Sequence, residues 1–205
     1  MVLVALLPAC STGTTTIVPD VDSSVEGDQQ VDEAAQSADE LPADKLEARS
    51  DSVETAEELG SRENPLPIGT AVVLDDGMGG VWEVTLLAPD LEANEVVLAE
   101  NMFNEDPPEG FQYSLLPVVA KYLGEETGTA AWDLDFAYVS AAGTTHKPFD
   151  VSVVIPDDLG SLNELYNGGV AEGNIAIAIP SEAPKQGTWR IGTSWGDAAV
   201  FFAAQ

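Results

Sequence analysis

One histidine, one cysteine and 36 carboxylates against 7 lysines and arginines set what chemistry this 205-residue chain can attempt. A serine or cysteine hydrolase needs a base, and His146 is the sole histidine. It sits in Gly143-Thr-Thr-His-Lys-Pro148, which reads as a hairpin or strand-end segment, so an exposed histidine with no catalytic role is expected. Zinc is equally poorly supplied. Calcium finds more hard oxygen donors: Asn101, Asn104, Glu105 and Asp106 share one proline-rich loop, and Asp75-Asp76-Gly77 and Asp157-Asp158 lie in others. The spacing of an EF-hand is absent, however, and aspartates in turns usually shape the turn. No catalytic residue, no metal site and no cofactor are therefore expected.

Loop 101–111 is the expected place for a partner or a cation. Pro107 and Pro108 stiffen it and lower its ordering cost, Glu105 and Asp106 give it a field suited to positive charge, and Phe103 and Phe111 offer apolar contact. Asn101 and Asn104 complete the set. The structural alternative is that Phe103 plugs the end of a core. Asp76-Gly-Met-Gly-Gly80 lacks the Lys-Ser/Thr of a phosphate cradle and reads as a hairpin turn between 71–74 and 81–86.

The cysteine points elsewhere. Leu7-Pro8-Ala9-Cys10 ends a short apolar run and resembles the lipobox of diacylglyceryl-modified lipoproteins, with a Ser/Thr run (Ser11, Thr12, Thr14, Thr15, Thr16) behind it. Basic residues normally precede such a run; their absence is read as a start codon assigned too far downstream. The resemblance implies a signal peptide over 1–10, lipidation of Cys10 and residence on the extracytoplasmic face of a bacterial membrane, contacted through the lipid alone. From 11 to 59 the chain is acidic and has no aromatic residue, so it is expected to be a disordered tether spanning roughly 40 Å.

Charge narrows the partners. Residues 1–60 hold 14 acids against 2 bases and residues 61–205 hold 22 against 5, so both parts contribute to the net charge of −29. Such a field repels nucleic acid and anionic lipid headgroups and favours cationic or basic protein partners. A soluble, salt-tolerant surface is the plainer explanation of the same charge. No run of about 20 apolar residues is present to span a bilayer as a helix.

From Gly60 on, the pattern is that of strands. Trp82, Val84 and Leu86 alternate with Glu83 and Thr85, and Leu134, Phe136 and Tyr138 continue a stripe from Trp132 opposite Asp133 and Asp135. Further strands are expected at 71–74, 113–123, 149–155, 174–179, 188–193 and 198–202, with a short helical turn in 159–166 and a turn at Asn167-Gly168-Gly169. Pro117 implies an edge position or a bulge. All four tryptophans lie between 82 and 195, which locates the core. About eight short strands with turn signals between them imply one monomeric all-β domain over 60–205, an antiparallel sandwich.

Several motifs carry a family resemblance. Gly60-Ser-Arg-Glu-Asn-Pro-Leu-Pro-Ile-Gly69, Leu98-Ala-Glu-Asn-Met-Phe-Asn104, Val154-Ile-Pro-Asp-Asp-Leu159 and Leu165-Tyr-Asn-Gly-Gly169 resemble landmarks of a family of bacterial lipoproteins of unknown function. That family is similar to the secreted immunoglobulin-like (telokin-like) antigens of mycobacteria. The resemblance implies an immunoglobulin-like fold and an extracellular address, and no established catalytic residues. Relatives carry a cysteine pair near the positions of Ser152 and Ala176, so here packing alone must hold those segments. The function expected is a non-catalytic binding or envelope accessory module with an unidentified ligand. The alternative is a secreted, for example carbohydrate-active, hydrolase, which would need a cleft with two carboxyl groups about 5–10 Å apart.

Overall fold

The computed structural model describes residues 15–17, 59–197 and 199–205. In chain order the strands are β1 (Thr15–Ile17), β2 (Ala71–Asp75), β3 (Val81–Leu86), β4 (Phe111–Tyr122), β5 (Thr127–Gly128) and β6 (Leu134–Val139). They continue as β7 (Thr145–His146), β8 (Leu165–Tyr166), β9 (Val170–Pro180), β10 (Thr188–Thr193) and β11 (Ala199–Ala203). Two short helices, α1 (Asn94–Glu100) and α2 (Ala130–Asp133), interrupt them.

An antiparallel sheet in the order β1-β2-β3-β4-β9 faces a second in the order β11-β10-β6-β7, with β5 and β8 as a separate pair. This is an all-β sandwich. Alternation in β3 does what its sequence dictates: Trp82, Val84 and Leu86 are fully buried, and Leu74 and Val72 of β2 lie opposite Trp82 and Val84. The opposing sheet supplies Phe136, Tyr138, Trp189, Ile191 and Phe202 to the same core.

The β2–β3 connection is the expected hairpin. Asp75 accepts from the Gly77 amide, and Asp76 accepts from the amides of Met78 and Gly80, at 2.7–2.9 Å. Gly77 and Gly79 take positive φ, which side chains resist. The aspartate pair serves the turn.

Four expectations need correction. Trp132 does not open the strand of Leu134, because Asp133 accepts the Thr129 amide at 2.9 Å and winds 130–133 into α2. Its ring is 71% exposed, as is that of Trp195 at 72%, so only Trp82 and Trp189 mark the core. Residues 149–155 form no strand: a 3-10 turn spans Pro148–Asp150, and the chain beyond it joins no ladder. Pro117 is not in an edge strand, since β4 lies between β3 and β9.

The bulge alternative for Pro117 fits. Leu87 donates to Pro117 and Asp90 pairs with Leu115, so the chain from 87 to 90 carries one residue more than its partner from 115 to 117. The missing N–H therefore faces a stretch where the ladder is already broken. Finally, Thr15–Ile17 belong to a sheet although they fall inside the segment expected to be a tether; residues 11–14 and 18–58 of that segment lie outside the described residues.

On the outer face of β4 and β9, α1 places Val97 against Tyr113, Leu115, Ile155, Ala176 and Ala178. This second apolar cluster explains why residues 113–116 are buried without alternation.

Candidate functional site

A groove of about 460 Å³ opens where β7 ends after two residues and leaves the Leu134–Phe136 stretch of β6, paired with β10 on its other side, without a strand on this edge. Leu134 and Phe136 form one wall, Ile175 and Ala176 of β9 another, and Val151, Val153 and Ile155 a third. Trp132 and Phe149 stand at the rim, Phe149 84% exposed. Ser152 and Ala176 both line it.

Two carboxylates reach the groove, and both have partners within the protein. Asp135 accepts from Lys147 Nζ at 2.9 Å and Arg190 Nη1 at 2.6 Å. Burial pushes its carboxyl up, but the hydrogen bonds and charges of those two cations outweigh it and hold the group below the usual aspartate range. Asp158 accepts from the Gly160 amide at 2.9 Å and caps the 3-10 turn Leu159–Ser161.

A pH dependence follows. Asp135 is depressed in the folded state, so its stabilisation is complete above the unfolded pKa and is lost as pH falls through the lower folded value. Melting temperature measured from about pH 6 to pH 2.5 should fall, and Asp135→Asn should start lower and lose less over that window. Parallel curves for the two proteins would contradict the assignment.

Loop 101–111 divides. Asn104 is built into the fold: its amide donates to Val97 O at 2.6 Å and Val154 O at 2.7 Å and accepts from Val154 N at 2.9 Å. Asn101 accepts from the Phe103 amide and shapes the turn. Phe103 does not plug the core, being 83% exposed.

Phe103, Glu105, Asp106 and Pro108 border a second hollow, of about 420 Å³, with Tyr113, Val151 and Ser152. Tyr113 donates to Glu105 O at 3.0 Å, and its hydroxyl is pushed up by burial first and by Asp106 and Glu105 second. Phe111 turns away, edge-on to His146 at 5.5 Å. Val151 and Ser152 border both hollows, so the acidic loop tip and the apolar groove adjoin.

His146 is not the free surface residue expected. Its half-buried ring lies between Phe111 and Tyr138, and Nε2 has no hydrogen-bond partner among the described residues. Elsewhere, burial raises Asp133, with Asp76 adding to it and the Thr129 amide opposing. Trp82 Nε1 approaches that carboxylate and lowers its pKa somewhat, yet falls short of hydrogen-bond geometry. No group of three His, Cys, Asp or Glu able to hold a metal exists among the described residues. Cys10 lies outside them, and no described helix is long and apolar enough to cross a membrane.

No family model matches the chain, and no curated protein does. Among solved structures it is similar to MPT63, a secreted protein from Mycobacterium tuberculosis, at 13% identity over 68% of this chain and 97% of that one, with a TM-score of 0.43. It is also similar to a conserved hypothetical protein from Bacillus anthracis at 13% identity, over 59% and 87% of the two chains, with a TM-score of 0.35. Neither likeness carries over any residue's role.

Proposed function

We propose that this chain is an extracytoplasmic lipoprotein, anchored through Cys10, whose immunoglobulin-like sandwich is a non-catalytic binding module. The observation that carries the binding role is the groove between β6 and β9 with its two exposed aromatic rims. Clefts of this size with mostly apolar walls and few polar groups are what ligands occupy, and exposed aromatic residues are the side chains that most often anchor partners. The acidic tip of loop 101–111 beside the groove, and a net charge of −29, favour a protein or peptide partner carrying basic residues.

The hydrolase alternative gains nothing from this geometry. Its acid would need a raised pKa inside the cleft, whereas Asp135 is held down by two cations and Asp158 is spent on a turn.

Two measurements test the proposal. Labelling of the protein with a fatty-acid analogue in a bacterial host should mark it and fail on Cys10→Ser; unchanged labelling of the variant refutes the anchor. For binding, immobilised full-length protein and the double variant Trp132→Ala/Phe149→Ala are compared against a cell-envelope extract. Both side chains are solvent-exposed, so the melt should stay within about 1 kcal/mol of the parent. A component retained by the parent should be lost at least about tenfold by the variant, and its retention should weaken with salt. Equal capture by both proteins would remove the groove from the function.

A further inference from the structure

We infer that the open edge of β6 takes up an extended peptide as an added strand, a step that rests on reading the groove as a binding site. The occupant is a segment of about five residues, apolar at alternate positions and flanked by basic ones, antiparallel to Leu134–Phe136.

The direction of the backbone groups decides this. Ser194 N donates to Asp133 O at 2.8 Å and continues the β6–β10 register, so the odd residues of β6 turn their N–H and C=O towards β10. Ser140 N donates to Thr144 O at 2.9 Å and continues the β6–β7 register, so the even residues face the other edge. Extending that register puts Pro148 opposite Phe136, and proline has no N–H for the Phe136 carbonyl. The chain turns away there, into the 3-10 turn Pro148–Asp150. Leu134 N–H already donates to Ala130 O at the end of α2. Left facing the groove are Leu134 C=O and both the N–H and C=O of Phe136, none with a hydrogen-bond partner among the described residues. An open edge of this kind is a template for another strand. The facing wall does not compete for it: the segment along β9 clusters Val151, Val153 and Ile155 with Ala176 and Ala178, and Asp157 O accepts the Asn174 amide.

The same geometry sets the sequence of the guest. A residue opposite Phe136 exchanges both hydrogen bonds with it and points its side chain to the same face, into the space lined by Phe136, Val153 and Ile175. Its neighbours point to the outer face beside Asp135, whose carboxylate Lys147 and Arg190 already hold, so neutral polar side chains fit there. Basic flanks suit Glu105 and Asp106 in the adjoining hollow, and a net charge of −29 disfavours a second copy of this chain as the added strand.

The test uses the full chain and a peptide library Lys-Lys-X-Thr-X-Thr-X-Lys-Lys, with Val, Ile, Leu or Phe at each X. The tightest binder is resynthesised with backbone N-methyl groups either on its apolar residues or on its threonines. Methylation of the apolar residues, whose N–H groups face β6, should weaken binding at least about tenfold, and methylation of the threonines, whose N–H groups face away, by less than about threefold. Bound peptide should also slow hydrogen exchange of the Phe136 amide at least about tenfold and leave that of Ala137, which faces β10, unchanged. Equal effects of the two methylations, or an unprotected Phe136 amide, would overturn strand addition and leave the groove as a pocket for side chains. A library with no member retained better by the parent than by Trp132→Ala/Phe149→Ala would overturn it too. Phe136 protection that grows with protein concentration and needs no peptide would do the same, by making a second copy the occupant. The binding-site reading fails separately, on equal capture of the envelope component by parent and double variant.

Discussion

Asn104→Ala should lower the stability of the domain by about 2 kcal/mol and should do so without any partner present. The Asn104 amide pairs with both the N–H and the C=O of Val154, at 2.9 and 2.7 Å, and donates again to Val97 O at 2.6 Å. In effect one side chain takes the place of a neighbouring strand for a segment that has none. Removing it leaves three backbone groups to water or to nothing, and loosens Val153 and Ile155, which form a wall of the groove. For a domain of this size the melt should drop by about 4–8 °C. Glu105→Ala and Asp106→Ala, both exposed, should shift it by less than about 0.5 kcal/mol and instead reduce retention of a basic partner. An Asn104→Ala protein that melts like the parent would show that the clamp does not hold the segment.

That contrast shows what in the sequence was readable. Glu105 and Asp106 beside Phe103 read as a polar, partner-facing tip, and the structure does bring these three to one hollow. Asn104, one residue away, reads the same in sequence, yet its partners are 7 and 50 residues distant and no local pattern reveals them. Alternation located β2 and β3, because each buries one face against the opposite sheet, whereas β6 and β10 are buried on most of both faces.

The same rule misassigned 149–155. Val151, Val153 and Ile155 do alternate in burial, but the signal reports an extended chain over an apolar surface, not a ladder. Helix α1 escaped notice because seven residues hold barely two turns and its first turn has no side-chain cap. The groove was illegible for a different reason: its walls come from residues 131–136, 148–160 and 175–176, and only the truncation of β7 leaves a space among them.

Gly173→Ala should be the more damaging substitution, at about 3 kcal/mol, the upper part of the range for overpacking. A Cβ there would lie 2.7 Å from Asp157 O and 2.9 Å from both Leu159 N and Cα, all backbone atoms with no rotamer to yield. The segment they belong to is already constrained. Asp157 holds a left-handed φ of 49°, its carbonyl accepts the Asn174 amide at 2.7 Å, Asn174 Nδ2 donates to Pro156 O at 2.9 Å, and Leu159 is fully buried. The added methyl must push residues 157–160 off β9, breaking those bonds and withdrawing Leu159 from the core. Asp158 and Gly160 line the groove, so its floor moves with them. A melt lowered by about 6–12 °C is expected, together with loss of the partner that Trp132→Ala/Phe149→Ala loses. Gly160→Ala, whose Cβ would meet the Asp158 carboxylate at 3.2 Å, supplies the control. That contact is with a side chain able to give way, so the melt should fall by no more than about 1 kcal/mol. Equal losses for the two alanines would mean that the close crossing of 157–159 over β9 does not set the stability of this corner.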